Sequence, residues 1–188
     1  DNAAAVAEAI RLFGGVDVFL ANAGIEGTVG PIVDCDEALF DQVMAVNVKG
    51  PFLGIRAVIP AMIARGGGSI VITSSVAGLR GSAQVAPYST SKHAVIGLMK
   101  SAAKEVAADN IRVNTVNPAP VASRMMLSLE EGLAPGAAER AKSLMKSNIA
   151  MGRYATPAEI ANVMLFLASD EAAFVTGAVY LADGGMMA

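Results

Sequence analysis

Short apolar runs alternate with helical stretches along this chain, and each run closes on small or polar residues. Residues 16–21 (Val-Asp-Val-Phe-Leu-Ala) end at Asn22-Ala23-Gly24. Residues 69–74 (Ser-Ile-Val-Ile-Thr-Ser) run into Ser75, residues 111–117 stop at Pro118, and residues 179–181 precede Asp183-Gly184-Gly185. Strands of this length separated by helices imply a parallel sheet covered on both faces. The expected fold class is therefore α/β, a doubly wound, Rossmann-type sheet in three layers. Ligands of such sheets bind outside the carboxyl ends of the strands. The ends at Asn22-Ala23-Gly24, Ser74-Ser75 and Asn117-Pro118-Ala119 are thus predicted to line one crevice, although each alone also reads as an ordinary turn.

The intervening stretches carry helix signals. Asn2–Phe13 places Val6, Ile10 and Phe13 on one face and is stopped by Gly14-Gly15. Asp34 with Glu37 resembles a capping box. Residues 37–65 read as helix in two parts, bent near Gly50-Pro51. Pro87 suits the first turn of a helix to about Ala108, and Thr156-Pro157-Ala158-Glu159 opens another to about Ala168. Residues 123–148 have helical patches of weak periodicity and read as a mobile insertion. Neither an internal repeat nor an interdomain linker is visible, so residues 1–188 are expected to form one domain.

Composition excludes several function classes. With 54% hydrophobic and 16% charged residues in 188, the chain can bury a core. A net charge of -3 with no basic stripe argues against a nucleic-acid partner. Long uncharged stretches such as residues 66–79 are broken by Gly and Ser and fall short of the roughly 20 apolar residues of a spanning helix. The opening residues read as helix and not as a signal peptide, so no membrane partner and a cytoplasmic setting are expected. Cys35 and His93 are the single cysteine and histidine. That leaves no internal disulfide, no metal site and no Ser-His-Asp hydrolase.

One constellation carries chemistry. In Tyr88-Ser89-Thr90-Ser91-Lys92, residues 88 and 92 share a helix face. A nearby ammonium favours the phenolate and makes tyrosine a usable proton donor and acceptor near neutral pH. A surface helix carrying two amphipathic side chains would have the same spacing. Ser75, 13 residues before Tyr88 at a strand end, narrows the choice, because its hydroxyl can bond an oxygen that Tyr88 also touches. Asn47 lies inside an apolar helical run and reads first as a structural amide bonding backbone at a helix bend. His93, next to Lys92, points about 100° away on the helix and reads as a surface or subunit contact.

Taken together, these residues resemble the short-chain dehydrogenase/reductase family, collinearly from Val16 to Gly185. Asn22-Ala23-Gly24 is similar to the family's Asn-Asn-Ala-Gly strand end beside the adenosine half of the cofactor. Asn47, Ser75, Tyr88 and Lys92 match its catalytic tetrad. Asn117-Pro118-Ala119 with Val121-Ala122-Ser123 resembles the segment that holds the nicotinamide, so Pro118, Ala119, Val121 and Ser123 are expected cofactor contacts, with Asn22, Ala23, Gly24, Tyr88 and Lys92. Val175-Thr176-Gly177 and Asp183-Gly184-Gly185 resemble its C-terminal signature. Three positions depart from the pattern: Ala21 for Asn, Ala119 for Gly and Ser123 for Thr.

The resemblance implies an oxidoreductase moving a hydride between NAD or NADP and a secondary alcohol or ketone. Ser75 would polarise the substrate oxygen and Tyr88 would exchange the proton. Lys92 would lower the tyrosine pKa and bond the nicotinamide ribose, and Asn47 would hold a water linking Lys92 to solvent. The segment from Asn22 to Gly27, with Arg153-Tyr154, is similar to members using NAD on cyclic or hydrophobic secondary alcohols. Residues 123–148, with Met125, Met126 and Leu127, fall where the family carries its substrate lid. The helical stretches 37–65 and 87–108 would pair two subunits in a homodimer or homotetramer, and Met186 and Met187 are candidates for such an interface.

The family's opening strand, Gly-rich turn and helix have no counterpart in this sequence, because Gly14-Gly15 precedes a strand. An N-terminally truncated domain without its first βαβ portion is therefore expected: either an upstream stretch precedes these residues or the domain is naturally truncated, and in the second case the strand at Val16 would expose an apolar sheet edge that favours aggregation or oligomeric rescue. The alternative function is a non-catalytic domain of this fold, serving as an oligomerisation or binding module.

Overall fold

The computed structural model describes residues 2–188. Four strands form one parallel sheet in sequential order: β1 (Val18–Ala21), β2 (Gly68–Thr73), β3 (Ile111–Pro118) and β4 (Val179–Ala182). Helix α1 (Asn2–Phe13) precedes β1. Helices α2 (Glu37–Met44) and α3 (Gly50–Arg65) connect β1 to β2, and α4 (Ala86–Val106) connects β2 to β3. Helices α5 (Arg124–Leu133), α6 (Ala138–Ser147) and α7 (Pro157–Ala168) lie between β3 and β4.

The alternation of side chains along β2 divides the core. Ile70 and Ile72 face one layer with Ile55, Val58 and Met62 of α3 and Val95 and Met99 of α4. Val71 faces the other layer with Val116, Ile160 and Leu167, where α7 packs. Both faces of the sheet are covered at β2 and β3, as the uninterrupted apolar character of residues 70–72 requires. This is the expected α/β architecture of helix, sheet and helix layers.

Several local readings need correction. The cap of α2 is Asp36, whose carboxylate accepts a bond from the Leu39 amide at 3.0 Å, while Asp34 sits in a short 3-10 turn. The irregularity in residues 37–65 is a π-helical turn at Ala45–Lys49, just before Gly50-Pro51, and the helix runs through it without a break. On α1 only Val6 is buried. Phe13 is 77% exposed, so the apolar face read from the sequence is mostly not packed. Residues 123–148 are well formed as α5 and α6. The capping box at Thr156 and Glu159 is present as read.

The continuous stretch Glu37–Arg65 is long and apolar enough by length and composition to cross a membrane. Its buried residues Ile55, Val58 and Met62 are packed against the sheet. β1 is an edge of the sheet, and Val18 and Leu20 on it are exposed.

Candidate active site

Each strand end turns where its sequence changes from apolar to polar, and the turns of β1, β2 and β3 meet above the sheet. There they form a cleft of about 780 Å³, lined by Asn22, Gly24, Ser75, Tyr88, Pro118 and Ala119 among others. Lys92, Val121 and Ser123 also line it. Of the candidates named from the sequence, Ala23 and Asn47 do not. Ala23 is exposed beside the cleft, and Asn47 is buried behind it.

Ser75 leaves β2 in an extended conformation and caps the short turn Val76–Gly78, its Oγ accepting from the Ala77 amide at 3.1 Å. The Asn117 amide donates to the Ser75 carbonyl at 3.0 Å, so the end of β3 fixes the end of β2. Tyr88 and Lys92 lie one turn apart on α4, with Nζ 5.5 Å from the centre of the Tyr88 ring. Lys92 is buried and donates to the Thr73 carbonyl at 2.8 Å. The Ser74 hydroxyl donates to the Lys92 carbonyl at 2.9 Å, which ties α4 to β2.

Asn47 occupies the π turn, where the widened helix leaves room for its amide to bond elsewhere. Its Oδ1 accepts from the Ile25 amide and its Nδ2 donates to the Ile25 carbonyl, both at 2.8 Å, with a further bond to Ser91 Oγ at 3.0 Å. The structural reading of this residue is therefore met in full. Asn47 is also beside Lys92, because a Cβ on Gly24 would meet Asn47 Oδ1 at 3.3 Å and Lys92 Nζ at 3.4 Å.

Electrostatics here differ from the sequence expectation. Burial raises the Tyr88 phenol above the usual tyrosine value. The Ser75 hydroxyl pulls it the other way, and the Glu26 carboxylate pushes it further up. Burial also brings the Lys92 ammonium down to about 8. The ammonium was expected to depress the tyrosine; the shift runs the other way, with desolvation its largest cause.

The Lys92 shift has a consequence for stability. Between about pH 8 and the unfolded lysine value near 10.4, the unfolded chain holds a proton that the folded chain has released. The cost of burying the charge disappears across that window as pH rises. The difference in unfolding free energy between the natural protein and Lys92→Met is expected to move in favour of lysine from pH 8 to 10.5. Denaturant titrations of both proteins would read it, and a difference flat in pH would refute the linkage.

Glu26 was not singled out from the sequence. It is 7% exposed, and its carboxylate pairs with Arg124 of α5 at 3.4 Å. Nothing in its neighbours, Ile25 and Gly27, marks it as buried. His93 Nδ1 lies 2.9 Å from the Ser89 carbonyl, outside the cleft lining. Met186 lines the cleft, and with Met187 it packs against Val76, Met126, Ile149 and Tyr154, so both are engaged within the chain.

The residues fit the nicotinamide-ribose half of a dinucleotide. Gly24 leaves open the space beside Lys92 that any larger residue would fill. Lys92 has donors beyond the one given to Thr73. Ser123 caps α5 through its carbonyl, which accepts from the Leu127 amide, and its side chain makes no capping bond, which leaves the hydroxyl available to a ligand. Pro118, Ala119 and Val121 offer an apolar surface for a flat ring.

Fold and cleft together define an α/β protein with its ligand site at the carboxyl ends of a parallel sheet. A family profile described as Enoyl-(Acyl carrier protein) reductase matches residues 1–187. The human protein named Dehydrogenase/reductase SDR family member 4 is 37% identical over 182 residues, which is 96% of this chain and 63% of that protein. The crystal structure of levodione reductase superposes with a TM-score of 0.95 at 35% identity, covering 98% of this chain and 71% of that one. NAD+-bound xylitol dehydrogenase gives 0.92 at 32% identity, covering 98% and 74%. The chain belongs to the short-chain dehydrogenase/reductase family, whose relatives are NAD(P)-dependent oxidoreductases. It spans a little under two thirds of the length of the human relative.

Proposed function

We propose that this protein is an oxidoreductase that transfers a hydride between NAD(P) and a secondary alcohol or ketone. The observation that carries the reading is the meeting of Ser75, Tyr88 and Lys92 at one cleft. The cofactor supplies the hydride chemistry when bound. Ser75 holds the substrate oxygen by a hydrogen bond. Tyr88 gives a proton to that oxygen during reduction and takes one during oxidation. With its pKa raised, Tyr88 is protonated at neutral pH and is ready as the acid for reduction. Lys92 bonds the nicotinamide ribose. Asn47 is a positioning residue that holds the backbone at Ile25 and, through a water, links Lys92 to solvent.

Pro118, Ala119, Val121 and Ser123 make the nicotinamide pocket in this reading, with Asn22, Ala23 and Gly24 on the adenosine side. NAD is favoured over NADP by the NAD+-bound state of xylitol dehydrogenase and by the wording of residues 22–27. We further propose one cytoplasmic domain assembled as a homodimer or homotetramer through residues 37–65 and 87–108. Exposed Phe52 and Ile63 on the first stretch support this.

The test is to add NADH or NADPH and follow the melting temperature, then assay secondary alcohols and ketones. A ligand that binds only the folded state stabilises it by about 2.7 kcal/mol at a hundred times its Kd. A rise with either cofactor, followed by turnover, is expected. No rise with either would favour the non-catalytic binding or oligomerisation module.

A further inference from the structure

We propose that the substrate half of the cleft takes a ketone or alcohol bearing an anionic group on an apolar arm, and that Arg80 holds the anion. This rests on the hydride-transfer reading above, and it names a substrate class for the same site.

Charge in the cleft is one-sided. Arg80, Lys92 and Arg124 line it, and among the described residues no Asp or Glu does, in a chain whose net charge is -3. Two of the three cations are already engaged. Lys92 donates to the Thr73 carbonyl at 2.8 Å, and Arg124 pairs with the buried Glu26 at 3.4 Å. Arg80 differs from both. Its guanidinium reaches only the Met186 sulfur, at 3.5 Å, and no carboxylate among the described residues lies within ion-pair distance. A thioether is a weak acceptor, and the exposed Arg80 guanidinium gives no other bond to the protein among the described residues, which leaves its planar fork open to a ligand from the solvent side. Such a fork matches a carboxylate or another oxyanion with two parallel bonds.

The wall beside Arg80 is apolar. Met186, on which the guanidinium rests, packs like Leu129 and Met145 against the cluster that holds Val76 and Met126. All five line the cleft that also holds Ser75 and Tyr88. Methionine and leucine accept a flexible carbon chain without fixing its shape. Arg80 itself is fixed to the short turn after Ser75, its amide donating to the Val76 carbonyl at 3.2 Å. A substrate with its carbonyl at Tyr88 and its chain along this wall would bring an anionic end to Arg80, which among the described cations of the cleft has only a thioether for a partner.

The test uses oxo acids from 4-oxopentanoate to 8-oxononanoate, each with its methyl ester, and the protein loaded with its reduced cofactor at low ionic strength. At the best chain length the acid is expected to exceed the ester in kcat/KM by about tenfold, the scale of one charge-assisted bond. R80Q is expected to erase that ratio through KM, and R80K to keep part of it. Equal rates for acid and ester at every length, or a ratio unchanged in R80Q, would overturn the proposal. Calorimetric binding of the acids separates the two readings. Arg80-dependent binding without turnover of acid or ester keeps the anion site and refutes hydride transfer. Neither turnover nor Arg80-dependent binding refutes both.

Discussion

Tyr88→Phe is expected to lower kcat by about 10²–10⁴ while the protein keeps its fold. The substitution keeps the ring beside the Lys92 ammonium and removes only the hydroxyl that Ser75 approaches. Tyr88 is half-buried on a long helix whose neighbours Ser91 and Lys92 bond through other atoms, so little packing is lost. The Lys92 ammonium already donates to the Thr73 carbonyl, so it is engaged elsewhere when the phenol is removed. Single-turnover rates with cofactor bound would measure the loss, and a melting curve would show the fold. Near-normal turnover in a cofactor-loaded Tyr88→Phe protein would remove Tyr88 from the reaction.

Gly78→Ala is expected to destabilise the protein by about 2–5 kcal/mol and to impair catalysis as well. A Cβ at this position would lie 2.6 Å from the Lys92 carbonyl oxygen and 2.9 Å from its carbon, with Ser74 Oγ as close. Two of those atoms are backbone of α4, so no rotamer change relieves the contact. The helix carrying Tyr88 and Lys92 must move away from the turn that carries Ser75, and the buried Ser74–Lys92 bond is the first to be lost. Gly97→Ala is the control. It lies on the same helix with open space around it within the chain, and in the single chain it should gain up to about 1 kcal/mol from helix propensity. Equal melting temperatures for the two variants would contradict the crowding at Gly78.

The strands were legible because they are short, apolar and uninterrupted, and the observed β2 and β3 fall within one residue of the stretches read from sequence. The Thr156 capping box was legible because both of its bonds are local. The cap at α2 was misplaced because Asp34 and Asp36 are equally good caps, and only the path of the chain from Pro31 decides which one meets the helix. Burial on α1 was misjudged for a related reason: a periodic apolar face records what a helix can bury, and neighbours decide what it does bury.

The site divides along the same line. Tyr88 and Lys92 could be paired from spacing alone, since four residues on a helix fix their separation. Ser75 joined them through its place at a strand end. Glu26 and Arg124, and Arg80 and Met186, are pairs separated by about a hundred residues, and no periodicity links them.

What the sequence by itself determined is the order of strands and helices, the helix cap at Thr156, the first-turn proline at Pro87, and the Tyr88–Lys92 pair. These follow from interactions within a few residues. Tertiary structure alone decided that burial raises the Tyr88 phenol while Ser75 and Glu26 act on it from distant parts of the chain, and that among the described residues three cations and no carboxylate line the cleft. Desolvation and long-range charge depend on what surrounds a group in space, and the chain brings that together only when the sheet is assembled.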